Sequence, residues 1–412
     1  MSKEYNTPQL RFPGFEGEWE EKKLSDVFTR LTKKNTEDNK NILTISAQYG
    51  LISQLDFFKK SVSASDVTGY YLLRKGDFAY NKSSSQGRPV GAIKPLKLYD
   101  KGVVSTLYIC FKCNDPNAIG FWEQYFDAGI FDKEILSIAQ EGARNHGLLN
   151  VPTKDFFELT VLEPTPAEQK KIAECLEEID KFIAAQVEKV DALKEKKKGL
   201  MQQLFPQQGE TTPRLRFPGF EEDWAERKLE DVAEFQNGFA YNSATFSNTG
   251  NYVIRISDIQ DGVVSLKSAV HSSTNVSDVY KVLKGDILIA MSGATTGKIG
   301  EYKNNEVAYI NQRVGNIKPF GINKRLLLFL LQSDLFLHYL NGILTVGTQP
   351  NISPRQICSF DFWLPKTIEE QDIIADFLSE MDESIASESA KLDALKDHKK
   401  GLMQQLFPQP AK

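Results

Sequence analysis

Cysteine, histidine and tryptophan are scarce, with four of each in 412 residues, and no apolar run exceeds the six residues 326–331. Four cysteines cannot staple a chain of this length, and only Cys110 and Cys113 stand at a spacing that suits a metal. Residues 105–113 alternate like a strand, and three residues of separation then send the two thiols to opposite faces. Zinc needs four ligands, and neither a second C-x-x-C nor a pair of histidines at ligand spacing exists to complete the set. Six apolar residues fall far short of the roughly 20 that a bilayer span takes. The opening Met1-Ser2-Lys3-Glu4-Tyr5-Asn6 is polar and carries no signal core, so the expectation is a soluble cytoplasmic protein without a membrane partner.

Catalytic signatures are missing as well. There is no G-x-G-x-x-G after a strand, no G-x-S-x-G elbow, no H-E-x-x-H and no Asn/Asp-Pro-Pro-aromatic element of the amino-methyltransferase kind. The nearest approach to a phosphate loop, residues 293–298, has three residues between its glycines instead of four, and Ile299 stands where a Ser or Thr should hold the metal.

What is present is ordinary globular composition, 41% hydrophobic and 25% charged, over a length that suits two to three domains. The net charge of −5 hides two mildly basic blocks. Residues 30–160 hold 17 Lys/Arg against 14 Asp/Glu, and residues 235–365 hold 11 against 8, with acidic segments around them. Such blocks are compatible with DNA contact, as they are with a solvated surface.

An internal repeat sets the organisation. Thr7 to Val27 recurs as Thr212 to Val232 with 15 identities in 21 positions, including Leu-Arg-Phe-Pro-Gly-Phe, a Trp and Lys-Leu. Glu168 to Pro206 recurs as Glu370 to Pro408 with 24 identities in 39. Between these blocks lie 28–167 and 233–369, similar in length and nearly devoid of identity beyond Lys75-Gly76-Asp77 with Lys284-Gly285-Asp286 and the late glycines Gly142 and Gly347. Two modules share a frame and differ in content.

The second repeated block reads as a long helix. Thr165-Pro166-Ala167-Glu168 forms a capping box with Pro at the first helical position, and Thr367-Ile368-Glu369-Glu370 repeats the box. Ile172, Leu176, Ile179, Ile183, Val190, Leu193, Leu200 and Leu204 recur at alternating spacings of four and three, matched by Ile374, Leu378, Met381, Ile385, Leu392, Leu395, Leu402 and Leu406. Gln186/Glu388 and Lys197/Lys399 are polar exceptions in register, which favours pairing of the two helices with each other over packing on their own domains. A helix of this kind is roughly 55 Å long. Parallel helices would require the second variable domain to bridge that distance, so the expected pairing is antiparallel.

The expected fold class is therefore α+β: two globular mixed α/β domains separated by a long antiparallel two-helix coiled coil, a tandem repeat with a pseudo-twofold axis. The boundaries are 1–164 for the first head, 165–206 for the first helix, 207–211 for a linker, 212–365 for the second head and 366–408 for the second helix. Within the heads, short β-branched or aromatic runs predict strands at 41–46, 78–80, 103–111, 252–256, 286–290 and 307–310. Helices are expected near 121–126 and over 324–340. Polar loops follow: residues 81–88 with Lys82, Ser84, Gln86 and Arg88, and residues 291–298 with Ser292, Thr295, Thr296 and Lys298. Later come Arg144, Asn145 and His146 in one head and Thr348, Gln349 and Asn351 in the other. Such side chains suit phosphate positioning and base-edge hydrogen bonding, as they would a solvated loop.

The Leu-Arg-Phe-Pro-Gly-Phe opening, the Lys-Gly-Asp strand, residues 292–300, Asn311-Gln312-Arg313, residues 347–353 and the Lys-Lys-Gly-Leu-Met-Gln-Gln-Leu-Phe helix ending resemble the specificity (S) subunit of type I restriction–modification systems. The resemblance covers essentially the whole chain. It implies a non-catalytic subunit with two target-recognition domains, each reading half of an interrupted sequence in double-stranded DNA. The helices would dock two methyltransferase (M) subunits and, through the complex, the restriction (R) subunits. It implies no cofactor on this chain, with S-adenosylmethionine, ATP and Mg on the partners, and adds Asn311, Gln312 and Arg313 to the DNA-contact candidates. Head one departs from the pattern in residues 81–88 and 143–146. The competing expectations are a stand-alone DNA-modifying enzyme with a coiled-coil dimerisation stalk, and a purely structural scaffold.

Overall fold

The computed structural model describes residues 6–46, 50–58, 66–84, 88–139, 149–260, 262–344 and 351–409. The chain divides into two compact units, residues 1–187 with 390–412 and residues 188–389. This division runs through both long helices, so each unit contains one head, the first half of the helix that follows it and the second half of the other helix.

The helices are Pro166–Leu204 and Ile368–Leu406, 39 residues each. Pro166 opens the first with a dihedral already suited to helix, and Phe-Pro ends both, because a proline disfavours helix in the residue before it. In the first unit Ile172, Ala173 and Leu176 share a core with Met403, Leu406 and Phe407, and Lys399 Nζ meets Asp180 at 2.6 Å. In the second, Ile374, Ala375 and Leu378 share a core with Met201, Leu204 and Phe205, and Lys197 Nζ meets Asp382 at 2.6 Å. Within each unit the partners therefore run antiparallel. Ile172, Leu176, Leu204, Ile374, Leu378 and Leu406 are buried; Ile179, Ile183, Leu193, Leu200, Met381, Ile385, Leu395 and Leu402 are half-buried. The polar exceptions Lys197 and Lys399 lie in the seam because each has a carboxylate of the facing helix to pair with.

The first unit carries a four-stranded antiparallel sheet in the order Phe28–Leu31, Ile109–Cys113, Phe78–Asn81, Ala92–Pro95. The second repeats it as Ala233–Asn237, Val314–Pro319, Ile287–Ala290, Ile299–Glu301, extended by Gly262–Val264 and Ile259–Gln260. One face of each sheet is covered by helices, Ile119–Asp127 in the first unit and Lys324–Gln332 in the second. On the other face lies a smaller apolar layer, Leu43, Leu73, Ala79 and Cys110 in the first unit and Ile254, Leu288, Ala308 and Ile310 in the second. Cys110 and Cys113 do face opposite layers, and burial pushes their thiols up to about 12 and about 11, the wrong direction for metal ligation.

Three local expectations are corrected. Residues 103–111 are not one strand: Lys101–Val104 and Ile109–Cys113 belong to different sheets, joined by a turn in which Tyr108 N donates to Ser105 O at 3.1 Å. The helix expected over 324–340 is two, Lys324–Gln332 and Asp334–Leu344, broken at Ser333, whose hydroxyl bonds back to Leu330 O at 2.6 Å. Lys-Gly-Asp is the tight turn before a strand. Gly76 and Gly285 take φ of +92° and +89°, where a side chain would be strained, and the following Asp accepts the N–H of Arg74 or Leu283.

Candidate nucleic-acid interface

The opening motif of each repeat secures the frame on which the heads are mounted. Arg11 donates from Nε and Nη2 to the two oxygens of Glu168, both at 2.7 Å, and a third bond goes to the Gly17 carbonyl. Arg216 repeats this with Glu370 at 2.8 and 3.0 Å and with the Glu222 carbonyl at 2.6 Å. The glutamates read as capping-box residues are thus taken up by bidentate pairs while themselves almost fully buried. Leu10 N donates to Gln405 O, and Leu215 N to Gln203 O, so the same motif also grips the end of the antiparallel helix. In the second unit Trp224 Nε1 adds a bond to Glu370 at 3.2 Å, whereas Trp19 Nε1 has no partner among the described residues.

In the second unit, motifs far apart in the sequence meet at one end of the six-stranded sheet. Residues 311–314 form the turn into Val314–Pro319, closed by Val314 N donating to Asn311 O at 2.8 Å. Met291, just past Ile287–Ala290, donates to Arg313 O and accepts from Ile352 N, both at 2.9 Å. Ser292 bridges Asn351 through the backbone, and Arg313 Nη1 lies 3.4 Å from Asn351 Oδ1. Phe239, after Ala233–Asn237, bridges Asn311, and Gly238 is needed beside it because a Cβ would sit 2.0 Å from Asn311 O. Ser292, Asn311, Gln312, Arg313 and Asn351 are therefore one cluster.

Thr295 donates to Ile256 O on the segment after Asn251–Ile254 at 3.1 Å, and Thr296 donates to Gly293 O within its own loop at 2.6 Å. Lys298 is exposed and has no ion pair among the described residues. Thr348 and Gln349 lie outside the described residues.

In the first unit Lys82 and Ser84 follow Phe78–Asn81, and Leu149 N donates to Lys82 O at 3.0 Å, as Ile352 does to Met291. Arg88 is half-buried, with Nη2 at 3.2 Å from Asp127 Oδ1, and Lys94 holds the other oxygen at 2.5 Å. Its charge is committed inside the head. Gln86, Arg144, Asn145 and His146 lie outside the described residues. Among those described there is no cluster of three metal-ligating side chains and no single helix long and apolar enough to cross a membrane.

Sequence reading missed the Arg11–Glu168 and Arg216–Glu370 pairs, although their signal was there: both repeated blocks preserve one member of the same pair. Residues 105–108, which sequence reading took as strand, form a turn at the corresponding end of the sheet in head one.

Comparisons with known proteins agree with one another. The family model described as type I restriction modification DNA specificity domain matches residues 221–397. The MjaVIII specificity subunit of a type I restriction enzyme from Methanocaldococcus jannaschii is 28% identical over 283 residues, 66% of this chain and 66% of that protein. The EcoBI specificity subunit of Escherichia coli is 28% identical over 178 residues, 42% of this chain and 35% of that protein. The matches thus span less than two thirds of these relatives. The crystal structure of the type I restriction–modification S subunit from M. genitalium shares the fold, with a TM-score of 0.57 over 98% of this chain and 100% of that one at 14% identity. A chain from a structure of type I R-M complex assembly gives 0.57 over 97% and 99% at 17% identity.

Proposed function

We infer from these likenesses that the chain belongs with the specificity subunits of type I restriction–modification systems, and we propose that it is the subunit that chooses the DNA sequence. The observation that carries this reading is the duplicated sheet whose loop-bearing end is built from different residues in each unit on an unchanged frame. A shared frame with divergent tips is what two readers of two different half-sites require. We propose that the two long helices, whose halves are shared between the units, set the spacing between half-sites, the logic by which dimeric regulators set theirs.

In this reading Lys82, Ser84, Lys298, Arg313 and Asn351, with their neighbours in the same loops, contact double-stranded DNA. Cations set the register on phosphate, while amides and hydroxyls read base edges. The chain itself performs no chemistry. Methylating a base needs it flipped into a pocket, and that pocket would belong to methyltransferase partners docked on the helices. These partners and the restriction subunits would carry S-adenosylmethionine, ATP and Mg. Mapping methylated sites in DNA from cells that express the methyltransferase partner with and without this chain tests the proposal. A two-part interrupted motif should appear only with the chain; methylation of the same sites without it would refute the reading.

A further inference from the structure

The cluster at the sheet end of head two has a counterpart in head one that none of the loop residues read from sequence includes. Ile317 faces Ile287 in one sheet, and Phe111 faces Phe78 at the equivalent place in the other. Six residues before Ile317 begins the turn closed by Val314 N and Asn311 O; six before Phe111 begins the turn closed by Tyr108 N and Ser105 O. Gln312 and Arg313 at one tip therefore correspond to Thr106 and Leu107 at the other, and all four are exposed.

Leu107 is a branched apolar side chain left 60% exposed where head two displays a guanidinium. Thr106, Leu107, Arg30 and Lys82 line one small cleft of about 40 Å³. Arg30 comes from the neighbouring strand Phe28–Leu31 and Lys82 from the end of Phe78–Asn81, and neither has an ion pair among the described residues. An apolar tip flanked by two uncommitted cations matches the major groove beside a thymine, where a methyl group projects between phosphate-lined walls.

Resting on the function proposed above, we propose that residues 105–108 are a sequence-reading turn of head one. Leu107 packs on the 5-methyl group of a thymine, and Arg30 and Lys82 hold the flanking phosphates. The test uses the full chain assembled with its methyltransferase partner and a duplex of its mapped target, in which each thymine is replaced in turn by deoxyuridine, which lacks only that methyl.

Wild type should lose affinity at one position of one half-site by about fourfold, the worth of one buried methyl group. L107A should show the same loss on the thymine duplex and no further loss on deoxyuridine at that position, while L107I should keep most of the discrimination. R30A and K82A should each lower the slope of log K against log salt by about 0.9. If every deoxyuridine substitution affects wild type and L107A equally, this inference is overturned while the proposed function stands. If wild type shows no sequence-selective binding, both fall.

Discussion

The two heads share a sheet and differ in almost everything that fills it. At the facing pair in the middle of the sheet, head one has Phe78 against Phe111, stacked at 5.6 Å, and head two has Ile287 against Ile317. Around the first pair gather Phe28, Trp122, Phe126 and Phe156; around the second, Leu326, Leu327 and Leu330. An aromatic facing pair and an aliphatic one occupy the same place in the same strand order, because a core position asks for apolar volume in register.

The frame behaves differently. Arg11–Glu168 and Arg216–Glu370, or Lys399–Asp180 and Lys197–Asp382, repeat residue for residue. A buried charge tolerates one geometry and one kind of partner. Divergence has therefore collected where volume suffices and at the exposed turns, while the polar joints have stayed.

If the frame is interchangeable, the largest consequence is assembly of a half-chain. The first unit needs residues 390–408, and the first repeat carries their near copy, 188–206, with 15 identities in 19 positions. Residues 1–206 alone should pair with a second copy, burying the stripe from Ile172 to Leu204. Sedimentation showing only monomer at high concentration, with the proposed methyltransferase partner present, would break the equivalence of the two frames.

Next in size are the buried arginine pairs. Arg11→Ala strands the Glu168 carboxylate and should cost about 3 kcal/mol. Arg216→Ala should cost about 1 kcal/mol less, because the Trp224 indole still donates to Glu370. Urea unfolding followed by tryptophan fluorescence, with Trp19 and Trp122 reporting on one unit and Trp224 and Trp363 on the other, separates the two effects.

Smaller again are the helix seams. Lys197→Ala should cost about 1 kcal/mol, because Lys197 also lies 4.6 Å over the Phe329 ring. Lys399→Ala should cost about half as much, since Gln124 still donates to Asp180 and the carboxylate is partly solvated. The same unfolding experiment checks the ranking. Smallest in free energy is the contrast between two loop cations. Lys298→Ala should lower the salt slope of DNA binding by about 0.9. Arg88→Ala, with its charge already facing Asp127, should lower it less and reduce the stability of head one.

The frame was legible because its signals are local and doubled. Thr165-Pro166 opens a helix, Phe205-Pro206 closes it, and a repeated apolar stripe with matched interruptions demands a partner helix. The heads were legible only in part. Ser105-Thr106-Leu107-Tyr108 has no Gly or Pro to mark it, and its turn rests on one backbone bond and on Leu107 N donating to Ser105 Oγ at 3.3 Å, so alternation extended the strand through it. A positional signal did exist: Ser105 lies 28 residues after Asp77, and Asn311 lies 25 after Asp286. Arg88 was read as a DNA contact because its partner Asp127 is 39 residues away, and a non-local ion pair leaves no mark in a loop sequence. Ser333 ended a helix inside a strongly apolar run because its hydroxyl found Leu330 O, a competition that composition alone does not decide.

The central claim is that head and frame are separable, with each head reading its own half of the target. Replacing residues 28–160 by the corresponding segment of a specificity subunit of known target, then mapping methylated sites in cells that carry the proposed methyltransferase partner, tests it most directly. One half of the interrupted motif should change and the other half, with the spacing between them, should remain. A change in both halves, or in the spacing alone, would contradict the account.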